Sequence, residues 1–154
     1  MHSIIIAMTV NGMPLHPLVV HATVVCLPVT ALVAVAFLHP RWRDRLRWPL
    51  LGLAVLSVVL VWVTANSGDD LNHDRFASAV GVLRDRIDDH ETWAGRLEVA
   101  TYVFGGIVAV TTLLWHRLRM LLPVLVGLTA LGGIAVAVLC VITGDAGARA
   151  AWAQ

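Results

Sequence analysis

Apolar residues fill four long stretches of this chain, roughly 17–38, 49–66, 97–115 and 120–143, with polar connections between them. As helices, each is about long enough to cross the ~30 Å hydrocarbon core of a bilayer. Arg41, Arg43, Arg45 and Arg47 crowd the connection between spans one and two, and Arg117 and Arg119 that between spans three and four. The long connection, Ser67 to about Arg96, joins spans two and three. In it Phe76, Val80, Leu83 and Ile87 recur at helical spacing among arginines and aspartates. That spacing predicts an amphipathic helix over about 74–90, lying on the outer membrane face or against the bundle mouth. It is placed to run on through His90 and Trp93 into span three, with Gly95 as a bend. The pattern predicts an all-α fold over 1–154, a single membrane domain built as a four-helix bundle of two helical hairpins.

Composition sharpens this to an integral membrane protein. Hydrophobic residues are 58% of the 154 and charged residues 14%, against about a quarter charged in soluble domains; mean hydropathy is +0.81. No basic stretch with a cleavage site opens the chain, so no signal peptide is expected, and Ile4–Val10 is too short to span. That tail is expected at the interface or disordered. All 11 basic residues are arginine. Because the short connections carry them, the positive-inside rule places those connections in the cytoplasm and both termini outside. Trp42, Trp48 and Trp115 mark the inner interface. The expected location is a bacterial plasma membrane, with the lipid bilayer as first partner.

A weak internal repeat overlies the hairpins. Span two begins Arg45-x-x-x-Pro49 and ends Ser67-Gly68-Asp69; span four begins Arg119-x-x-x-Pro123 and ends Thr143-Gly144-Asp145. Each hairpin is preceded at its outer end by histidine, His16 and His21 in one and His90 in the other. Such a repeat suggests a pseudo-two-fold axis along the membrane normal, with Gly68 and Gly144 at equivalent ends. Gly105-Gly106 and Gly132-Gly133 lie near mid-depth, where they either let spans three and four pack closely or make room for a flat cofactor.

The candidate chemistry gathers at the outer end. Counting at ~1.5 Å per residue from the inner arginines and prolines puts His21, Glu98, Asp69 and Asp145 roughly 30 Å away, at the outer hydrocarbon edge. His16 and His90 form a tier roughly 8–10 Å further out, and His73 is able to join from the loop. Polar residues at wet helix ends commonly pair with one another and do nothing more. Two sharper readings stand beside that one. Imidazoles held by carboxylates suit zinc, copper or iron. Two histidines at one height on facing helices suit a b-type haem, and by height His16 matches His90 better than His21 does. Ionisable groups face inward more cheaply than they face lipid. His21 and Glu98 are therefore expected on the inner side, near Asp69 or Asp145. His2, His39 and His116 receive no role. Cys26 and Cys140 lie at different depths, so no disulfide is expected, and without Cys-x-x-Cys neither a zinc ribbon nor covalent c-type haem fits. No nucleophile–base pair, phosphate loop or nucleic-acid motif is present, which disfavours an enzyme and excludes a nucleic-acid partner.

Leu15-His16-Pro17-Leu18-Val19-Val20-His21 resembles the His-Pro-x-x-Val-His opening of a bacterial membrane-protein family, domain-of-unknown-function family 2231. The resemblance implies a four-span bundle about as long as this chain. The family's glycine ending span two would match Gly68, its histidine opening span three His90, and its Gly-rich close Thr143-Gly144-Asp145-Ala146-Gly147. Where the family often has Phe-Pro after the second histidine, this chain has Ala22-Thr23, with proline at Pro28. Relatives joined to Rieske or cytochrome c modules imply a redox setting. The leading expectation is an electron-transfer component with haem b near the outer face, held among His16, His21 and His90 with Glu98, Asp69 and Asp145 around them. Its partner would be a redox protein or respiratory-complex subunits. The alternatives are a cofactor-free accessory subunit of a larger respiratory membrane complex, and a metal-binding membrane protein.

Overall fold

The computed structural model describes residues 9–10, 13–71 and 80–152. Four helices carry it: α1 Leu15–Ala36, α2 Arg43–Leu71, α3 Val82–Leu113 and α4 Leu122–Ala151. Ahead of them Thr9–Val10 (β1) pairs antiparallel with Met13–Pro14 (β2). The helices pack in the cyclic order α1, α2, α3, α4, and α4 closes back on α1. A narrow core of Leu27, Phe37, Leu50, Phe104, Val108, Val126 and Val136 runs between them. Outside it, Leu32 and Val141 are each 70% exposed. An aliphatic surface of that kind on all four helices would be a liability in water and is ordinary against lipid. All four helices are long and apolar enough to cross a bilayer.

The helices outrun the apolar stretches because backbone hydrogen bonding, unlike hydropathy, continues past the hydrocarbon edge. α2 starts at Arg43, not at Pro49, and Asp44 in its first turn suits the positive end of the helix dipole. Pro49 thus lies inside the helix. α3 is one continuous helix of 32 residues, about 48 Å long. The described part of the expected 74–90 helix belongs to it, with Leu83 and Ile87 half-buried, and Gly95 does not interrupt it. Phe76 and His73 lie outside the described residues. Gly81 (φ 66°) starts α3, a backbone angle that a side chain would strain, and its carbonyl accepts the Asp85 N–H at 3.1 Å.

Burial repeats from hairpin to hairpin. The buried Thr23, Leu27, Thr30, Ala34 and Phe37 of α1 are answered in the same spacing by Leu97, Thr101, Phe104, Val108 and Thr111 of α3. Leu50, Ala54, Ser57, Val61 and Ser67 of α2 are answered likewise by Thr129, Gly133, Val136, Cys140 and Ala146 of α4. The two hairpins thus share one spacing of buried positions.

The mid-depth glycines serve different interfaces. A Cβ on Gly132 would meet the Phe104 ring at 3.0 Å, so this residue does bring α3 and α4 together. Gly133 faces α1 instead, 2.9 Å from Ala34 Cβ, and Gly105 faces Val58 of α2 at 2.8 Å. Gly106 has open space. Two of the four glycines therefore join the hairpins to each other. Cys26 and Cys140 are buried and free. At the inner end the Phe37 and Trp115 rings lie 5.8 Å apart. There Arg43 donates to the carbonyls of Phe37 (3.3 Å) and Leu38 (2.9 Å), satisfying the end of α1.

Candidate functional site at the outer end

Heptad spacing delivers two histidines to one place. Along α1, His16 lies one heptad before Thr23, then Thr30 and Phe37; along α3, His90 precedes Leu97, Phe104 and Thr111 in the same steps. All but the histidines are buried, and both histidines are half-buried. Each imidazole thus heads the inward stripe of its helix, where the bundle opens.

Their surroundings match. His16 Nδ1 lies 3.1 Å from the Thr64 carbonyl oxygen on α2, and His90 Nδ1 lies 3.1 Å from the Thr143 carbonyl oxygen on α4. One turn further along, Gly68 and Gly147 abut the rings: an added Cβ would meet His16 Cε1 at 3.1 Å or His90 Cε1 at 3.0 Å. A carbonyl oxygen only accepts, so Nδ1 carries the proton and donates it in both cases. In the neutral ring Nε2 then keeps its lone pair. The two sites differ in their hydroxyls. Ser67 Oγ sits 3.2 Å from His16 Nδ1 and itself donates to the Thr64 carbonyl at 3.0 Å; α4 has Ala146 in that place. Thr64 Oγ1 bonds Thr23 Oγ1 at 2.9 Å, whereas Thr143 Oγ1 is buried with no partner among the described residues.

His16 stands just ahead of the apolar span that begins at Leu18. Burial pushes its pKa below the usual histidine range; the Thr64 carbonyl bond works against this, and repulsion from His90 adds to it. Because the folded-state pKa is the lower one, the unfolded chain takes up a proton first as pH falls below ~6.5. Stability should then drop on acidification below that value. Thermal midpoints between pH 7.5 and 5.5 should fall more steeply in the wild type than in His16→Gln.

The other candidates have other surroundings. His21 is exposed, since five residues after His16 is about 140° around the helix. Glu98 accepts a 2.6 Å hydrogen bond from Tyr102, one turn along the same helix. Asp145 pairs with Arg149 at 2.6 Å on an exposed flank, and Asp69 is exposed. His21 thus lies on the exposed side of α1 and not on the inner side expected for it. At His16 and His90 it is the carbonyls of Thr64 and Thr143 that meet Nδ1. Sequence reasoning missed both threonines, and it aligned Gly68 with Gly144, which has open space around it. The signal was present as Thr64-x-x-x-Gly68 and Thr143-x-x-x-Gly147.

Among known proteins, the model of a family described as predicted membrane protein (DUF2231) matches residues 12–154. No curated protein and no solved structure matches the chain.

Proposed function

The chain belongs to the DUF2231 family of predicted membrane proteins, and we propose that it is an electron-transfer component carrying a b-type haem at the outer end of the bundle. The observation that carries this reading is the paired commitment of Nδ1–H to a backbone carbonyl. A hydrogen bond of that kind fixes the tautomer and orientation of a ligating histidine and leaves Nε2 available. The residues present fit the group. His16 and His90 would hold it through Nε2, Gly68 and Gly147 leave room for the rings to lie against α2 and α4, and the unpartnered Thr143 hydroxyl awaits an acceptor. Haem would supply one-electron chemistry there; the protein's part is to orient both imidazoles through their Nδ1–H bonds.

The accessory-subunit reading rests on the same bonds, since each histidine also fastens the outer ends of its hairpin. A reduced-minus-oxidised absorption spectrum of protein purified from its native membrane separates the two. Soret and α bands are expected, and a featureless spectrum at full occupancy of the membrane fraction would sink the haem reading. The site is proposed to face outward from the plasma membrane, because the inner connections hold the arginines. A cysteine replacing Val80 should react with an impermeant thiol reagent added outside intact cells, and one replacing Arg45 only after lysis. The reverse pattern would turn the molecule over.

A further inference from the structure

Six arginines, Arg41, Arg43, Arg45, Arg47, Arg117 and Arg119, gather at the inner end of the bundle, and Asp44 is the one carboxylate in the same two connections. Among the described residues none of the six forms an ion pair, whereas Arg84 pairs with Asp88 and Arg149 with Asp145 at the outer end. Arg43 is occupied with backbone carbonyls. Arg47 is the anomaly. It lies three residues before the buried Leu50 on the inward stripe of α2, and its counterpart on α4 is the buried Val126. Its Nε is buried with no hydrogen-bond partner among the described residues. Its guanidinium sits 5.5 Å from the centre of the Trp48 ring, and that tryptophan is 55% exposed.

A guanidinium N–H shut away from water without an acceptor is costly, and an anionic acceptor recovers most. The chain's own carboxylates are almost all at the other end, about 30 Å or more distant. At the height of Arg47 and Trp48 the bilayer itself offers phosphate diesters. We propose that the inner face holds the phosphate of one anionic phospholipid, with Arg47 as its central ligand, Trp48 against the glycerol region and Arg45 at the rim. A zwitterionic lipid brings the same phosphate with a cation attached, which the surrounding arginines repel; a headgroup with net negative charge is selected instead. This site is independent of the haem reading and lies at the opposite end of the molecule.

The test uses the full chain in nanodiscs of phosphatidylcholine mixed with phosphatidylglycerol, released for native mass spectrometry. Wild type should retain one phosphatidylglycerol in preference to phosphatidylcholine. Arg47→Gln should lower that retention about tenfold, the scale of one lost charged hydrogen bond. Arg47→Lys should fall between, and Arg84→Gln, at the outer end, should match the wild type. Should Arg47→Gln fail to fold, the wild-type thermal midpoint still decides. It should rise when phosphatidylglycerol replaces part of the phosphatidylcholine, and not when inorganic phosphate alone is added. Equal retention of the two lipids, retention unchanged in Arg47→Gln, or the same rise with inorganic phosphate would each overturn the proposal.

Discussion

Gly133→Leu should keep the two hairpins from closing on each other. The new Cβ would lie 2.9 Å from Ala34 Cβ and 3.2 Å from Ala31 Cα, and the second of these is backbone. A side chain can rotate away from a neighbour; a helix axis has to move as a whole. In lipid, where apolar side chains lose little by separating, close packing of small residues is what holds the helices together. Overpacking costs about 1–3 kcal/mol and occasionally more, and a backbone neighbour puts this change at the upper end. Unfolding of the purified protein in a graded denaturing detergent should show a large loss. Gly106→Ala and Gly127→Ala meet nothing within 4 Å and should be neutral, or stabilising by up to ~1 kcal/mol through helix propensity. A Gly133→Leu protein as stable as these controls would mean that α1 and α4 do not approach as described.

Gly147→Leu should dislodge His90. Its Cβ would stand 3.0 Å from Cε1 and 3.1 Å from Nδ1 of a rigid ring, with the rest of the side chain still to be placed. The ring swings out and its bond to the Thr143 carbonyl is lost, at about 0.5–1.5 kcal/mol for the bond itself. Under the proposed function the larger effect is on the cofactor, because an imidazole held at the wrong angle does not ligate. Haem content should fall to background. Gly68→Leu should do the same to His16, where the corresponding distances are 3.1 and 3.3 Å. Gly144→Leu is the informative control, since open space surrounds Gly144. Loss of haem from Gly144→Leu with Gly147→Leu unaffected would refute the placement of His90.

The contrast between Gly144 and Gly147 shows where sequence reasoning stopped. Arginines, tryptophans and apolar runs report depth, and the four helices follow the four apolar runs. Counting residues matches His16 to His90 in height, and each heads the inward stripe of its helix. Position around the helix is the second coordinate, and a depth count carries none of it. A depth count gathers His21, Glu98, Asp69 and Asp145 into one site, whereas His21, Asp69 and Asp145 lie exposed and Glu98 is half-buried and bonded to Tyr102. Heptad steps from His16 to Phe37 and from His90 to Thr111 would have supplied the missing coordinate. The acceptors were harder to see: Thr64 and Thr143 act through backbone carbonyls, which every residue possesses. Helix ends were misjudged for a related reason. Hydropathy falls at Pro49, yet the helix continues back to Arg43 because its hydrogen bonds do not depend on lipid.

The most direct test of the central claim is the electron paramagnetic resonance spectrum of the oxidised protein. Two neutral imidazoles on one ferric haem give a low-spin signal, and removing either ligand converts or abolishes it. The account predicts that signal in the wild type and in His21→Ala, and its disappearance in both His16→Ala and His90→Ala. A signal that survives either of those two substitutions, or that vanishes only in His21→Ala, would contradict it.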